Sequence, residues 1–230
     1  MSRKSINKKS SILSIQRGHE LSAELPKRPS FANSYGTSAR RVQGSWSLRT
    51  PAPVLWLTGL PSAGKTTIAR LAAQRLSADG IPCEVLDGDE VRKAISPTLG
   101  FSREERAIQA LRLAWIAEML SRHGVVAIVA AVSPYRDDRK SAAALLGGRY
   151  TEVWVHADAS VCRARDPKGL WRSCELGEIS GVTGFDAPYE EPLAATIKLE
   201  TELCPASRCA LELVNFVAAT CATAIPAGPV

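Results

Sequence analysis

The segment Gly59-Leu60-Pro61-Ser62-Ala63-Gly64-Lys65-Thr66, followed by Thr67, constrains this chain more than any other. It fits G-x-x-x-x-G-K-[ST], a loop that wraps a phosphate in main-chain N–H groups. The glycines let the backbone approach phosphate oxygens, and the following helix points its first N–H groups at the same anion. An apolar run, Val54-Leu55-Trp56-Leu57, precedes the loop, and a helix-like stretch from Thr67 to Gln74 follows it. That strand–loop–helix order is the context the motif needs. Lys65 is expected to reach the terminal phosphates, and the Thr66 hydroxyl to hold Mg²⁺.

Charge divides the chain unevenly. Residues 1–50 carry ten Lys/Arg against two acids, and the remaining 180 carry 19 against 21. The net charge of +6 therefore belongs to the N-terminal end and does not signal a nucleic-acid-binding domain. Eleven serines in those first fifty residues, with few large apolar ones, predict a basic, Ser-rich disordered tail over 1–48. Its composition also suits an organelle transit peptide, although a functionless solvated extension is the favoured reading. One domain is expected over 49–222, with a short C-terminal tail at 223–230. No run of 18 apolar residues occurs, so no membrane partner is expected. A basic start without an apolar segment after it does not make a secretory signal, and a cytoplasmic location follows. The six cysteines form no CxxC pair and do not cluster with the three histidines, so free thiols are expected in place of a zinc site.

Strands are predicted at 54–58, 83–86, 125–132 and 153–155, with a fifth near Ile197 and Leu199 at a sheet edge. The third is apolar without alternation, as in strands buried on both faces. Helices are predicted at 66–78, 103–123, 138–146, 160–165 and 206–220. Ser102 and Glu105 make a capping box for the second of these, and Ile108, Leu111, Trp115 and Met119 are expected to line its core face. In the last helix Leu211, Val214 and Val217 share a side. Strands alternating with helices imply an α/β fold of P-loop NTPase type, a parallel sheet with helices on both faces.

Four further loops at strand ends carry polar residues. Asp87-Gly88-Asp89, with Arg92, puts two carboxylates where they can orient a metal-bound water and accept a proton from a hydroxyl; Asp89 is alternatively a helix N-cap. Phe101 beside Arg103 and Arg106 can stack a base and neutralise an anion, or simply staple the helix that Ser102 caps. Ser133-Pro134-Tyr135-Arg136 ends the buried strand, with Ser133 facing the cleft or forming an ordinary turn. A Gly- and Pro-rich interval from Arg163 to Pro192 has the length of a lid, which phosphoryl transfer needs to exclude water.

These loops, in this order, resemble the adenylylsulfate kinase (APS kinase) family. The matching stretches are GLPSAGKTT from Gly59, LDGDEVR from Leu86, LGFSREER from Leu99, VSPYRDDR from Val132, ARDPKGLW from Ala164 and TGFDAPYEEP from Thr183. The resemblance implies ATP-dependent phosphorylation of the 3′-hydroxyl of adenosine 5′-phosphosulfate (APS), giving 3′-phosphoadenylyl sulfate (PAPS) and ADP in sulfate assimilation. It implies ATP on Gly59, Leu60, Pro61, Ser62, Ala63, Gly64, Lys65, Thr66 and Thr67, with Mg²⁺ on Thr66. Lys65, Asp87 and Asp89 take the catalytic roles, with Asp89 the preferred base. Ser133 matches the family's phosphoserine position, although direct in-line transfer needs no such step. Arg92, Phe101, Arg106, Gln109, Val132, Ser133, Lys168 and Val182 line the APS side. A homodimer and an ATP sulfurylase partner are expected.

The chain departs from the family's pattern on that side alone. Gln109 stands where the family usually has Asn, and Val182 where it has a Phe expected to stack on adenine opposite Phe101. Such a loss is worth about 1–3 kcal/mol of stacking. Trp171-Arg172-Ser173-Cys174-Glu175 is less basic than the usual run after Lys168. Two alternatives stand beside this reading. One is another P-loop small-molecule kinase with a nucleoside or sugar acceptor. The other is a non-catalytic nucleotide-binding partner of a sulfurylase, against which the intact Lys65, Thr66, Asp87 and Asp89 argue. A GTPase is disfavoured, since the chain has no NKxD-like segment and DGD is not DxxG.

Overall fold

The structure, a computed structural model, describes residues 50–223. The tail expected over 1–48 lies outside them, as does all but the first residue of the C-terminal tail expected at 223–230. Five parallel strands lie in the order β2-β3-β1-β4-β5. They are β1 (Val54–Thr58), β2 (Cys83–Asp87), β3 (Val126–Ala130), β4 (Tyr150–His156) and β5 (Ile197–Glu200). Between and after them run α1 (Lys65–Ala78), α2 (Gly88–Ile95), α3 (Arg103–Arg122), α4 (Arg136–Leu146), α5 (Ala159–Arg165), α6 (Leu170–Glu175) and α7 (Ala206–Thr223). Register pairs Val54 with Ala127 on one side and Tyr150 on the other.

β1 is central and buried at all five residues, which is why its run is apolar without alternation. Leu55 and Leu57 face α1 and α7, against Ile68, Ala72, Leu76, Leu213 and Val217. Val54 and Trp56 face the other way, onto Leu113, Ala114 and Ala117 of α3 and Ala142 and Leu146 of α4. The chain leaves β1 toward one face and β3 toward the other. Such a divergence between neighbouring strands opens a crevice beyond their carboxyl ends, the usual ligand position in open α/β sheets. The ends are tied across it, Gly59 N–H to Val132 O at 3.5 Å and Ala131 N–H to Leu57 O at 3.2 Å.

Two helix faces differ from expectation. Ile108, Leu111, Trp115 and Met119 of α3 are 44–53% exposed, and the core face is made by Ala110, Leu113, Ala114 and Ala117. Both stripes recur at helical spacing, so periodicity alone favours the bulkier one. The small residues win because alanines let α3 lie close to β1 and β3. On α7, Val214 and Val217 are buried as expected, but Leu211 is exposed and Leu213 takes the core position. The helices α2 and α6 are additional to those read from sequence; at eight and six residues they are too short to display a stripe.

No described helix is long and apolar enough to cross a membrane. All six cysteines are free, with Cys162 buried in the core and Cys83 half-buried at its edge.

Candidate active site

The phosphate loop turns sharply between β1 and α1. A Cβ at Gly59 would lie 2.2 Å from the carbonyl oxygen of Val155, so only glycine fits against β4. Gly64 takes φ +102° to start α1, a conformation that costs other residues steric energy. Lys65 Nζ folds back into the loop, donating to Gly59 O at 2.9 Å and Leu60 O at 2.7 Å. Burial pulls its pKa down from 10.5 to about 8, against the raising influence of nearby Cys162, Asp89 and Asp87. A phosphate arriving here meets a cation already stripped of most of its water.

Asp87 ends β2 beside the loop. Its Oδ2 accepts from Thr66 Oγ1 at 2.7 Å, and its Oδ1 caps α2 by accepting from the N–H groups of Asp89 (2.9 Å) and Glu90 (3.3 Å). The N-cap is therefore Asp87, not Asp89, because helix α2 begins at Gly88, directly after the strand. Burial alone would raise the Asp87 pKa, but these hydrogen bonds and the charge of Lys168 outweigh it and hold the carboxyl below its usual range. An ionised carboxylate bonded to a hydroxyl fits Mg²⁺, which takes one or two protein oxygens and fills its octahedron with phosphate and water.

Freed from capping, Asp89 projects into the crevice. Its Oδ2 meets Lys168 Nζ at 2.5 Å. Lys168, expected on the sulfate wall, thus stands at the carboxylate pair, carried there by the turn between α5 and α6. The pairing raises the Lys168 pKa against the lowering effect of burial.

On the opposite side Phe101 is 59% exposed, with the guanidinium of Arg92 at 4.6 Å and that of Arg106 at 5.5 Å from its ring centroid. Main-chain carbonyls fix both arginines: Arg92 donates to Gly100 O at 2.6 Å and Arg106 to Gly181 O at 2.7 Å. The capping box of Ser102 and Glu105 is present and sets the ring's place at the start of α3. Val182, 7% exposed, follows that Gly181 in a turn closed by Asp186, whose carboxylate accepts from the N–H groups of Gly181 and Val182. Gln109 reaches Gly88 O with Nε2 at 3.5 Å, while its buried Oε1 has no hydrogen-bond partner among the described residues. The extra methylene relative to Asn brings this amide to the loop that carries the two carboxylates.

Ser133 is buried at φ +43°, in the left-handed region that residues with a side chain seldom occupy. Its Oγ accepts from the indole N–H of Trp56 at 3.2 Å, and an N–H donor cannot remove a proton from the hydroxyl. Val132 contributes its carbonyl, held by Thr58 Oγ1 at 2.7 Å. Of the expected lid arginines, Arg163 pairs with Glu175 and Arg165 bonds Thr201, so neither turns to the carboxylate pair. Sequence reasoning missed Thr58, Tyr189 and Arg139, which bind the loops together. Their partners lie far away in the chain, and no local pattern announces them.

Fold and site together define a P-loop phosphotransferase: a phosphate-loop motif with its lysine, a carboxylate pair beside it, and an exposed Phe101 ring flanked by the guanidinium groups of Arg92 and Arg106. Residues 51–200 match the adenylylsulphate kinase family, and the chain belongs to it. The adenylyl-sulfate kinase of Bacillus velezensis is 41% identical over 165 residues, which cover 71% of this chain and 84% of that one. That of Synechococcus sp. strain JA-3-3Ab is 49% identical over 138 residues, 60% of this chain and 78% of the relative. The fold is also similar to the Mycobacterium tuberculosis APS kinase CysC, solved in complex with AMPPNP and APS. It matches with a TM-score of 0.70 and 33% identity, covering 73% of this chain and 98% of that one.

Proposed function

We propose that this protein phosphorylates the 3′-hydroxyl of APS with ATP, releasing PAPS and ADP for sulfate activation. The observation that carries the reading is the pairing of an intact phosphate loop with an arginine–aromatic wall across one crevice, in a chain that matches the family over both. The triphosphate lies in the Gly59–Thr67 loop, where Lys65 exchanges its two carbonyl partners for phosphate oxygens. Thr66, with Asp87 beside it, would hold Mg²⁺, which would supply charge neutralisation on the phosphates. Phe101 stacks the adenine of APS, and Arg92 and Arg106 hold its phosphosulfate. The 3′-oxygen attacks the γ-phosphorus in line, its proton passes to the Asp89 carboxylate, and the bond to ADP breaks. Lys168, released from Asp89, places its charge on the moving phosphoryl group. The indole N–H on Ser133 supports direct transfer over a phosphoserine step.

The same reading includes a homodimer, a cytoplasmic location and an ATP sulfurylase that supplies APS. The exposed stripe of α3 supports the dimer. Its Ile108, Leu111 and Trp115, with Ile95, Arg112 and Ile116, line a groove of about 380 Å³, and contiguous apolar surface of this kind marks interfaces. Two antiparallel copies of α3 would set Leu111 against Trp115, and acidic Glu104 against basic Arg122.

The test is ADP release with APS and with a panel of nucleosides and sugars, the product being checked for a 3′-phosphate. APS-dependent release that vanishes in a folded Lys65→Ala variant is expected. Release with another acceptor alone overturns the assignment.

A further inference from the structure

Arg139 of α4 is 2% exposed, and its guanidinium reaches three separate parts of the chain. Nε meets Glu152 Oε1 of β4 at 2.8 Å, Nη1 donates to Ser133 O at 2.8 Å, and Nη2 donates to Glu190 O at 2.8 Å. A planar fork fixes directions as well as distances, and the buried charge is balanced by one carboxylate. Around it the same two segments are joined again. Glu190 N–H donates to Pro134 O, its carboxylate accepts from Arg136 N–H, and Arg136 Nε donates to Glu191 O, each at 2.8 Å. Tyr189 OH meets Thr58 Oγ1 at 3.1 Å. The far end of the long β4–β5 interval is thereby clamped to the loop after β3. Its near end is held differently: Cys162 and Trp171 pack into the core, Arg165 bonds Thr201, and Lys168 meets Asp89 in a surface pair, both more than half exposed.

We infer that Arg139 is a positioning residue for the acceptor side of the cleft. It holds the main chain of Ser133 in its left-handed turn and, through Glu190, carries the Gly181–Asp186 turn up to Arg106. The cradle for ATP is built from β1 and α1, and it meets this loop through bonds of its own, from Thr58 Oγ1 and Gly59 N–H to Val132 O at 2.7 and 3.5 Å. The inference rests on the APS reading, and the wild-type assay with APS tests that reading separately.

Arg139→Lys keeps a charge opposite Glu152 but cannot fork to two carbonyls. Glu152→Gln removes the charge and keeps both carbonyl bonds. A misplaced wall costs acceptor binding or alignment, so Arg139→Lys is expected to raise the KM for APS roughly tenfold, with the KM for ATP within about twofold. Glu152→Gln should move neither KM beyond about twofold. A purely structural role would lower Tm in both variants with both KM values unchanged, and that result overturns the inference, as does an equal rise in both. Hydrogen exchange on the wild-type protein tests the clamp even if the lysine variant does not fold. The Glu190 amide, which donates to Pro134 O, should be protected like the strands while those of Ile179 and Ser180 exchange fast, and equally fast exchange at these positions overturns it.

Discussion

Lys65 shows how far a single side chain is tuned by where it sits. Its pKa of about 8 means that it is charged at neutral pH and neutral in mild alkali. Below pH 8 the ammonium is ready for a triphosphate; above it the amine must first take up a proton. ATP affinity should therefore fall by up to about tenfold per pH unit above 8, with proton uptake on binding. Calorimetry in buffers of different ionisation enthalpy measures that uptake, and binding without it at pH 9 would contradict the assignment. Val182 is the second decisive residue. On the proposed reading a valine leaves the base one aromatic face, that of Phe101, and stacking is worth about 1–3 kcal/mol. Val182→Phe should lower the KM for APS at least about fivefold with the KM for ATP unchanged. An unchanged or raised KM for APS would show that the wall is complete without an aromatic. Both residues were legible in the sequence, one from its motif and one from its departure from a family pattern. The low pKa of Lys65 was not, because it comes from burial.

At the scale of elements, α3 is the instructive case. Its start was readable: Ser102 and Glu105 form the capping box, and Arg106 falls one turn inside it. Its orientation was not. Two stripes compete on this helix, and the larger residues face outward because the alanines fit the sheet. That inversion leaves Trp115 53% exposed on a face that a second copy would cover. A charge there should split a dimer without reaching the crevice. Trp115→Glu is expected to halve the mass seen by light scattering and to keep the secondary structure intact, whereas an unchanged mass would remove α3 from the interface. Helix α2 makes a complementary point. Asp87 and Asp89 were both read as chemistry, with Asp89 alternatively the cap, yet the cap is Asp87, which accepts from the start of α2 with one oxygen and from Thr66 with the other.

Across the whole domain, the parallel sheet and its two layers of helices follow from patterns within the chain. Unalternating apolar runs mark strands buried on both faces, and the phosphate loop fixes which strand must lie beside the crevice. The sequence by itself therefore determined the fold class, the phosphate-loop motif and the family, since all of these are written in contiguous residues. Only the tertiary structure decided how the rest meets. Lys168 joins Asp89 from 79 residues away, Trp56 occupies the Ser133 hydroxyl from 77, and Arg139 grips Glu190 from 51. Local stretches encode backbone conformation and ligand-facing chemistry through short-range sterics and spacing. Long-range partners are chosen by packing: a buried polar group must find whichever complement the folded chain brings within about 3 Å of it.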